Sequence, residues 1–156
     1  MPVLRRATPA DAAVALAWSP TVEVLHRWAG PSARWPATPE SLWADINNAD
    51  ATTFALVAPD ASVLGLGQVR YREQTYGHLA RIIVSPHHRG QGLGRILCSA
   101  LMREAPKLHP ITAYSLYVYD NNTAAIGLYE SLGYVRSGIH ARYPDMLLML
   151  APLSAV

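Results

Sequence analysis

The sequence predicts a single α/β domain built on a mixed β-sheet with helices on both sides. The apolar pattern indicates the order: one strand, a set of short helices, three strands, and then helix, strand, helix and two final strands. The 156 residues are 51% hydrophobic and 15% charged, which suffices for one domain over residues 1–156 with a sizeable core. A glycine-rich loop between an apolar run and a helical pattern places the expected binding site past the middle of the chain.

The first half of the chain is predicted to form one strand, three helices and a β-hairpin. Thr8 and Thr38 each precede a proline, which is the arrangement of a helix N-cap followed by the first helical residue. The hairpin is expected to turn at Pro59-Asp60, between two apolar runs. The predicted strands cover residues 3–6, 52–58 and 62–71, and the predicted helices cover residues 9–18, 22–28 and 39–47.

The second half is predicted to alternate strands and helices. Its first strand ends before Pro86, because proline has no N–H for the ladder and forces extended geometry on its predecessor. The helix after the glycine loop is expected to end at Ala105-Pro106, and the next helix to begin at the cap Asn122 and end at Gly133. The predicted strands cover residues 77–84, 111–119, 134–140 and 146–150, and the second helix covers residues 123–132.

The glycine-rich loop reads Arg89-Gly90-Gln91-Gly92-Leu93-Gly94. A strand, a glycine loop and a helix in this order present several backbone N–H groups to an anion, and the helix dipole adds to the attraction. A Walker loop is excluded because no Lys-Ser or Lys-Thr pair follows, and the third glycine of a dinucleotide fingerprint would fall at Arg95 or Leu97. A phosphate-bearing ligand is expected here, with a plain glycine turn as the alternative.

A second stretch strengthens the expectation of a phosphate site. It reads Asn122-Thr123-Ala124-Ala125-Ile126-Gly127-Leu128-Tyr129-Glu130-Ser131-Leu132-Gly133-Tyr134. The loop and this stretch resemble the two conserved blocks of the GNAT acyltransferase superfamily, (Gln/Arg)-x-x-Gly-x-(Gly/Ala) and Asn-x-x-Ala-x-x-Leu-Tyr-x-x-x-Gly-(Phe/Tyr), and the second is similar to that of ribosomal-protein N-terminal acetyltransferases. The resemblance is close over residues 77–134. It implies an α/β (α+β) fold with a mixed, largely antiparallel central sheet, and an N-acetyltransferase that uses acetyl-CoA.

The resemblance also implies how acetyl-CoA is held. The pyrophosphate is expected on the backbone N–H groups of the glycine loop, and the pantetheine arm along the backbone of Ile82 and Val84. The N–H of Val84 is the candidate that polarises the thioester carbonyl. The expected contacts with the co-substrate come from Ile82, Ile83, Val84, Arg89, Gly90, Gln91, Gly92, Leu93, Gly94, Arg95, Asn122, Ala125, Leu128 and Tyr129.

Two side chains are candidates for proton transfer. The resemblance makes Tyr129 the general acid, because a phenol stays protonated at neutral pH and can donate to a departing thiolate; packing in the core is the alternative. For the general base it points to His78, whose expected strand parity with Ile82 and Val84 puts it on the thioester face, with titration in the histidine range. Glu73 and water are the alternative bases.

The acceptor is the least determined part of the site. In the superfamily the N-terminal helices and the following loop shape the acceptor pocket, here residues 18–43. Trp28 and Trp35 are expected to line it, whereas Trp18 and Trp43 are expected in the core. A small-molecule amine is the expected acceptor and a peptide α-amine the alternative. Two other classes of function remain open. One is an acyl-CoA-binding protein without catalysis, and the other is a different nucleotide-binding enzyme on an α/β fold.

Composition narrows the classes of partner. The net charge is +2 with the basic residues spread along the chain, so no nucleic-acid partner is expected. No apolar run approaches the length of a membrane span, and the single cysteine, Cys98, fits a reducing compartment, so neither a membrane nor secretion is expected and the location is cytoplasmic. No metal is expected, because His87-His88 are adjacent residues without further ligands. A homodimer is an open alternative.

Overall fold

A seven-stranded sheet in the order β1-β2-β3-β4-β5-β7-β6 forms the centre of the computed structural model, which describes residues 1–72 and 75–156. Every neighbouring pair is antiparallel except β4 and β5, which are parallel. The α/β fold with a mixed, largely antiparallel sheet is confirmed. The strands are β1 Val3–Arg6, β2 Ala51–Val57, β3 Val63–Tyr71, β4 Tyr76–Val84, β5 Ala113–Tyr119, β6 Val135–Ile139 and β7 Met146–Pro152.

Among the described residues, five α-helices flank the sheet: α1 Pro9–Ala17, α2 Val22–Ala29, α3 Pro39–Ile46, α4 Leu93–Leu108 and α5 Thr123–Ser131. Short 3-10 helices cover Pro86–His88 and Leu153–Ala155. The predicted end of α4 at Ala105-Pro106 is wrong, because the helix continues through Pro106 to Leu108. Pro106 has no N–H, so it removes one backbone hydrogen bond from α4. Because it lies in the last turn of the helix, this loss does not end the helix there. Within the described residues, no helix is both long enough and apolar enough to cross a bilayer.

The two faces of the sheet carry separate apolar cores. On one face, α4 and α5 pack against alternate strand residues such as Phe54, Leu79 and Leu116. On the other face, α1, α2 and α3 pack against Ala55 and Leu66. Because side chains alternate along a strand, each face needs its own apolar set, which explains why β2 and β3 have no polar face.

A β-bulge in β4 changes which side chains share a face. Gln68 pairs with Ala80 and Leu66 pairs with Ile83, so β4 has one residue more than β3 at this point, and Arg81 adopts a φ of 51°. Leu79 before the bulge and Ile82 after it contact the same core. The predicted parity of His78 with Ile82 and Val84 is therefore wrong. His78 lies on the opposite face, because the extra residue reverses the alternation.

The hydroxyl of Tyr134 predicts a measurable gain in stability. Tyr134 is 1% exposed, and its hydroxyl finds no hydrogen-bond partner among the residues that the structure describes. Since an unsatisfied buried hydroxyl is destabilising, Tyr134→Phe is expected to raise the free energy of unfolding by about 1 kcal/mol. Urea denaturation of both proteins measures this difference. A fall in stability would show that the hydroxyl is in fact paired in solution.

Candidate active site

A cleft opens where β4 and β5 stop pairing. The parallel ladder joins Tyr76–Leu79 to residues 113–116, and beyond it the two strands diverge. The cleft has a volume of about 570 Å³. Its walls come from the end of α2 and the next loop, β3, β4, β5, the start of α5 and the β6–β7 connection. Several predicted site residues line it: His78, Ile82, Ile83, Val84, Arg89, Asn122 and Tyr129.

The glycine loop ends at the start of α4, next to this cleft. Gly90 and Gly92 have φ angles of 77° and 70°, and a Cβ atom at either position would have no heavy atom within 4 Å beyond the neighbouring residues. Gly92 is the N-cap of α4 and supplies no capping side chain, whereas Thr21, Thr38 and Asn122 cap α2, α3 and α5 with their side-chain oxygens. The first N–H groups of α4 therefore have no side-chain cap, which fits a bound phosphate.

The other predicted co-substrate residues adjoin the cleft without lining it. Leu93 is buried in the core below α4. A Cβ at Gly94 would lie 3.2 Å from Leu128, so this glycine lets α4 and α5 pack closely. Arg95 donates a 2.6 Å hydrogen bond to the hydroxyl of Ser131, which ties its guanidinium to α5. Gly90, Gln91, Gly92, Leu93, Gly94, Arg95, Ala125 and Leu128 lie outside the lining.

Tyr129 lies at the base of the cleft. Its side chain is 9% exposed and meets the ring of Tyr134 edge-on, with 6.0 Å between ring centroids. Burial raises the pKa of the Tyr129 phenol far above its ordinary value, so the hydroxyl is a proton donor at every physiological pH. At the top of α5, Asn122 accepts the N–H of Ala125 at 3.4 Å, which confirms its predicted role as an N-cap.

His78 is buried between the strands. Its Nδ1 lies 2.8 Å from the hydroxyl of Ser115, and its side chain is 3% exposed. Burial lowers the pKa of His78 well below its ordinary value, and the positive charges of Arg72 and Arg70 lower it further. The expected titration in the ordinary histidine range therefore does not fit this environment, and the imidazole is neutral at pH 7.

The depressed pKa of His78 predicts loss of stability on mild acidification. As pH falls below about 6.5, the unfolded chain takes up a proton at this histidine while the folded chain does not, so the free energy of unfolding decreases. We expect a slope of up to about 1.4 kcal/mol per pH unit from this residue. The measurement is urea denaturation between pH 7 and pH 5, above the range in which carboxylates such as Asp11 and Asp45, whose pKa values are lowered, become protonated.

The control for this prediction is His78→Asn, which preserves a hydrogen-bonding atom near Nδ1 but cannot titrate. The variant is expected to lose most of the pH dependence in this range. Equal slopes in the two proteins would contradict the assignment to His78.

A partly buried arginine network, which the sequence patterns did not indicate, holds the bulge of β4 in place. The guanidinium of Arg81 donates to the carbonyl of Ala29 at 2.9 Å, to Asn48 Oδ1 at 2.7 Å and to Gln68 Oε1 at 3.1 Å. Burial lowers the pKa of Arg81 to about 10. These bonds link the end of α2, the α3–β2 connection and β3 to β4 at one wall of the cleft.

The predictions for the acceptor side are only partly confirmed. Trp28 is 7% exposed, lines the cleft and donates its Nε1 hydrogen to Ser19 at 2.9 Å. Trp35 is 43% exposed and is absent from the cleft lining, so that expectation is wrong. Trp18 and Trp43 pack against the core, as predicted. Glu73, the alternative base, lies outside the residues that the structure describes.

The other side chains that could be reactive have structural roles or lie in the core. Cys98 is buried, and burial raises the pKa of its thiol to about 12, as expected of an inert core cysteine. His88 Nδ1 lies 3.1 Å from the hydroxyl of Ser85, at the 3-10 turn that follows β4. Over residues 1–72 and 75–156, no three His, Cys, Asp or Glu side chains cluster as metal ligands would.

Two curated relatives are similar to this chain over part of its length. The mycothiol acetyltransferase of Salinispora tropica is 33% identical over 99 residues, which are 60% of this chain and 32% of that protein. The [ribosomal protein bS18]-alanine N-acetyltransferase of Escherichia coli is 39% identical over 83 residues, 49% of this chain and 55% of that protein. The matches thus span between about a third and about half of the relatives' own length.

Solved structures and a family profile extend the comparison. The spermidine N-acetyltransferase of Vibrio cholerae, solved with CoA and spermine, matches with a TM-score of 0.78 at 20% identity, covering 99% of this chain and 96% of that chain. That likeness concerns the fold. The profile of the Acetyltransferase (GNAT) family matches residues 22–134, a span that includes both sequence motifs and every wall of the cleft except the β6–β7 connection. The chain therefore belongs to the GNAT family of acetyltransferases.

Proposed function

We propose that this chain transfers the acetyl group of acetyl-CoA to a primary amine, by direct attack of the amine in a ternary complex. The observation that carries the proposal is the meeting of three features at one cleft. They are the diverging ends of β4 and β5, the glycine-capped start of α4 beside Arg89, and the buried phenol of Tyr129. Family membership supports the same reading.

The glycine loop is the part of the chain that would hold CoA. Gly90 and Gly92 leave open space where side chains would stand, so a pyrophosphate can approach the N–H groups of residues 90–95. Arg89 lines the cleft beside them and adds positive charge. Acetyl-CoA supplies an acetyl group activated as a thioester.

The free stretch of β4 would orient that thioester. Past Leu79 the strand has left its partner β5 and borders the cleft, so its backbone can pair with the amide groups of a pantetheine arm. Val84, at the end of the strand, is the residue whose N–H would stabilise the negative charge that develops on the carbonyl oxygen. The bulge at Arg81 sets the position of this segment relative to the cleft.

Two side chains would move protons. Tyr129 would donate its phenolic proton to the departing sulfur, since the buried phenol is protonated at physiological pH. His78 is neutral, and when its Nδ1 donates to Ser115 its Nε2 carries a lone pair that can accept a proton from the amine, directly or through water. Glu73 and solvent stay as alternative bases.

A second candidate acceptor is the α-amine of a peptide. The alanine N-acetyltransferase of Escherichia coli acts on a ribosomal protein by its name, and it shares 39% identity over 83 residues. Small amines are represented by the spermidine N-acetyltransferase fold neighbour. Both acceptor classes present a primary amine, so the same proton transfers serve either.

The test is a screen of amines and short peptides with acetyl-CoA, in which the release of free CoA is measured. We expect acceptor-dependent release, with initial-velocity lines that intersect when both substrates are varied, because the ternary mechanism has no acetylated protein intermediate. Parallel lines would contradict direct attack. Tight CoA binding without release for any acceptor would favour the acyl-CoA-binding alternative.

A further inference from the structure

The described walls of the cleft carry many basic side chains and no acidic one. Arginines and histidines reach it from α2, β3, β4, the glycine loop and the β6–β7 connection, while no Asp or Glu of residues 1–72 and 75–156 lines it. Such a lining favours ligands with negative charge and disfavours polycations. The basic residues are Arg27, Arg70, Arg72, Arg81, Arg89, His26, His78 and His140.

Three of the arginines already have a partner or an assigned role. Arg70 forms an ion pair with Asp50 at 3.1 Å. Arg81 donates to three oxygen atoms around the bulge. Arg89 lies beside the glycine loop, where the phosphates of CoA would lie.

Arg72 differs from these three and from the fifth arginine, Arg27, which is exposed on α2. Its side chain is partly buried, and its Nε has no hydrogen-bond partner; within the described residues no carboxylate forms an ion pair with it. Burial and the positive charge of Arg70 lower the pKa of its guanidinium. A buried donor without an acceptor is destabilising, and the planar guanidinium suits an oxyanion that accepts two hydrogen bonds.

The position of Arg72 separates it from the CoA end of the cleft. Arg72, His78 and Tyr117 also line a second hollow of about 510 Å³. The acidic residue among the described residues of this hollow is Asp50, whose carboxylate forms the ion pair with Arg70. That hollow includes Ser115 and Leu148, which alternate with core residues of β5 and β7 and therefore lie on the sheet face opposite α4. Because the glycine loop begins α4, an anion at Arg72 would belong to the acceptor.

We propose that the acceptor carries an oxyanion, a carboxylate in the first instance, in addition to its amine, and that Arg72 binds this group while the amine lies toward His78 and the thioester. The inference rests on the proposed acetyl transfer and specifies its substrate class. An amino acid and a peptide with an acidic side chain both offer this chemistry. A polyamine does not.

The experiment compares acceptors that differ only in charge. The small-molecule pairs are β-alanine with β-alaninamide and 4-aminobutanoate with 4-aminobutanamide; the peptide pair is alanyl-glutamyl-alaninamide with alanyl-glutaminyl-alaninamide. We expect kcat/KM, corrected for the fraction of free amine, to be about 10- to 100-fold higher for the acid of at least one pair, the range for a hydrogen bond to a charged group. The responding pair distinguishes a small acceptor from a peptide. Spermidine is expected to be the poorest acceptor.

The variant Arg72→Gln assigns any preference to this residue. It is expected to remove the preference for acids, so that the kcat/KM of each acid falls to that of its amide whatever the common rate, whereas Arg72→Lys should restore part of the preference. Arg103→Gln is the charge-matched control, because Arg103 is exposed on α4 and does not line the cleft. Two results would overturn the inference. One is a rate with the amides or spermidine that equals or exceeds the rate with the acids. The other is a preference for acids that persists in Arg72→Gln.

Calorimetry separates this inference from the proposed function. Binding of each acid and its amide is measured with wild type and Arg72→Gln, both saturated with CoA. Selective binding of acids that depends on Arg72, without acetyl transfer, would contradict the proposed activity and support the anion site. Acetyl transfer to amides without selective binding of acids would support the proposed activity and contradict the anion site.

Discussion

Gly92→Asp is expected to abolish binding of CoA and acetyl-CoA. The glycine caps α4 with a φ of 70°, and the space beside it is open. A carboxylate placed there would stand among the N–H groups that are to receive the pyrophosphate. Two like charges about 4 Å apart at a protein surface repel by about 4 kcal/mol, which corresponds to about a 1000-fold loss of affinity.

Gly92→Asn is the matched control for this prediction. Asparagine has the size of aspartate and tolerates the left-handed conformation equally well, but it carries no charge. We expect it to weaken binding far less than Gly92→Asp, with the gap between the two variants narrowing as salt is added. Isothermal titration with CoA gives the affinities, and thermal unfolding checks that both variants are folded. Unchanged affinity in a folded Gly92→Asp protein would contradict the phosphate site.

The CoA half of the candidate site could be predicted from the sequence because it is local. The glycine loop and the Asn122–Tyr129 stretch each place their residues within one turn or helix, so spacing alone predicts the glycine-capped start of α4 and the Asn-capped start of α5. Prolines and threonine caps likewise fixed the starts of α1 and α3 within the sequence itself. Here short-range preference and tertiary packing agree.

The acceptor half could not be predicted because it depends on contacts between distant segments. The bulge at Arg81 leaves no mark in the apolar run of β4, since a non-glycine residue with positive φ is held there by bonds to Ala29, Asn48 and Gln68. That single extra residue moved His78 to the other face. Arg72 is distinguished only by a buried Nε that lacks a hydrogen-bond partner, a property that exists in the folded state alone.

Tyr129→Phe is expected to lower the rate of acetyl transfer by about 10²- to 10⁴-fold, the usual contribution of a general acid. The substitution removes one oxygen and leaves the ring against Tyr134. Affinity for CoA and stability are therefore expected to change little. Because product release can limit turnover, the informative quantity is the single-turnover rate with saturating acceptor.

Tyr134→Phe is the matched control, since it removes the same group from the ring that contacts Tyr129 but does not line the cleft. We expect the wild-type rate of acetyl transfer in that variant. A loss of rate confined to Tyr129→Phe would then show that the hydroxyl at the cleft is the one that contributes to transfer. If the Tyr129 proton is delivered to the sulfur, donors with a more acidic thiol should lose less rate in Tyr129→Phe, because a stable thiolate needs no acid. An equal loss for all donors would indicate that the hydroxyl only positions the thioester. A single-turnover rate equal to that of wild type would remove Tyr129 from the chemistry.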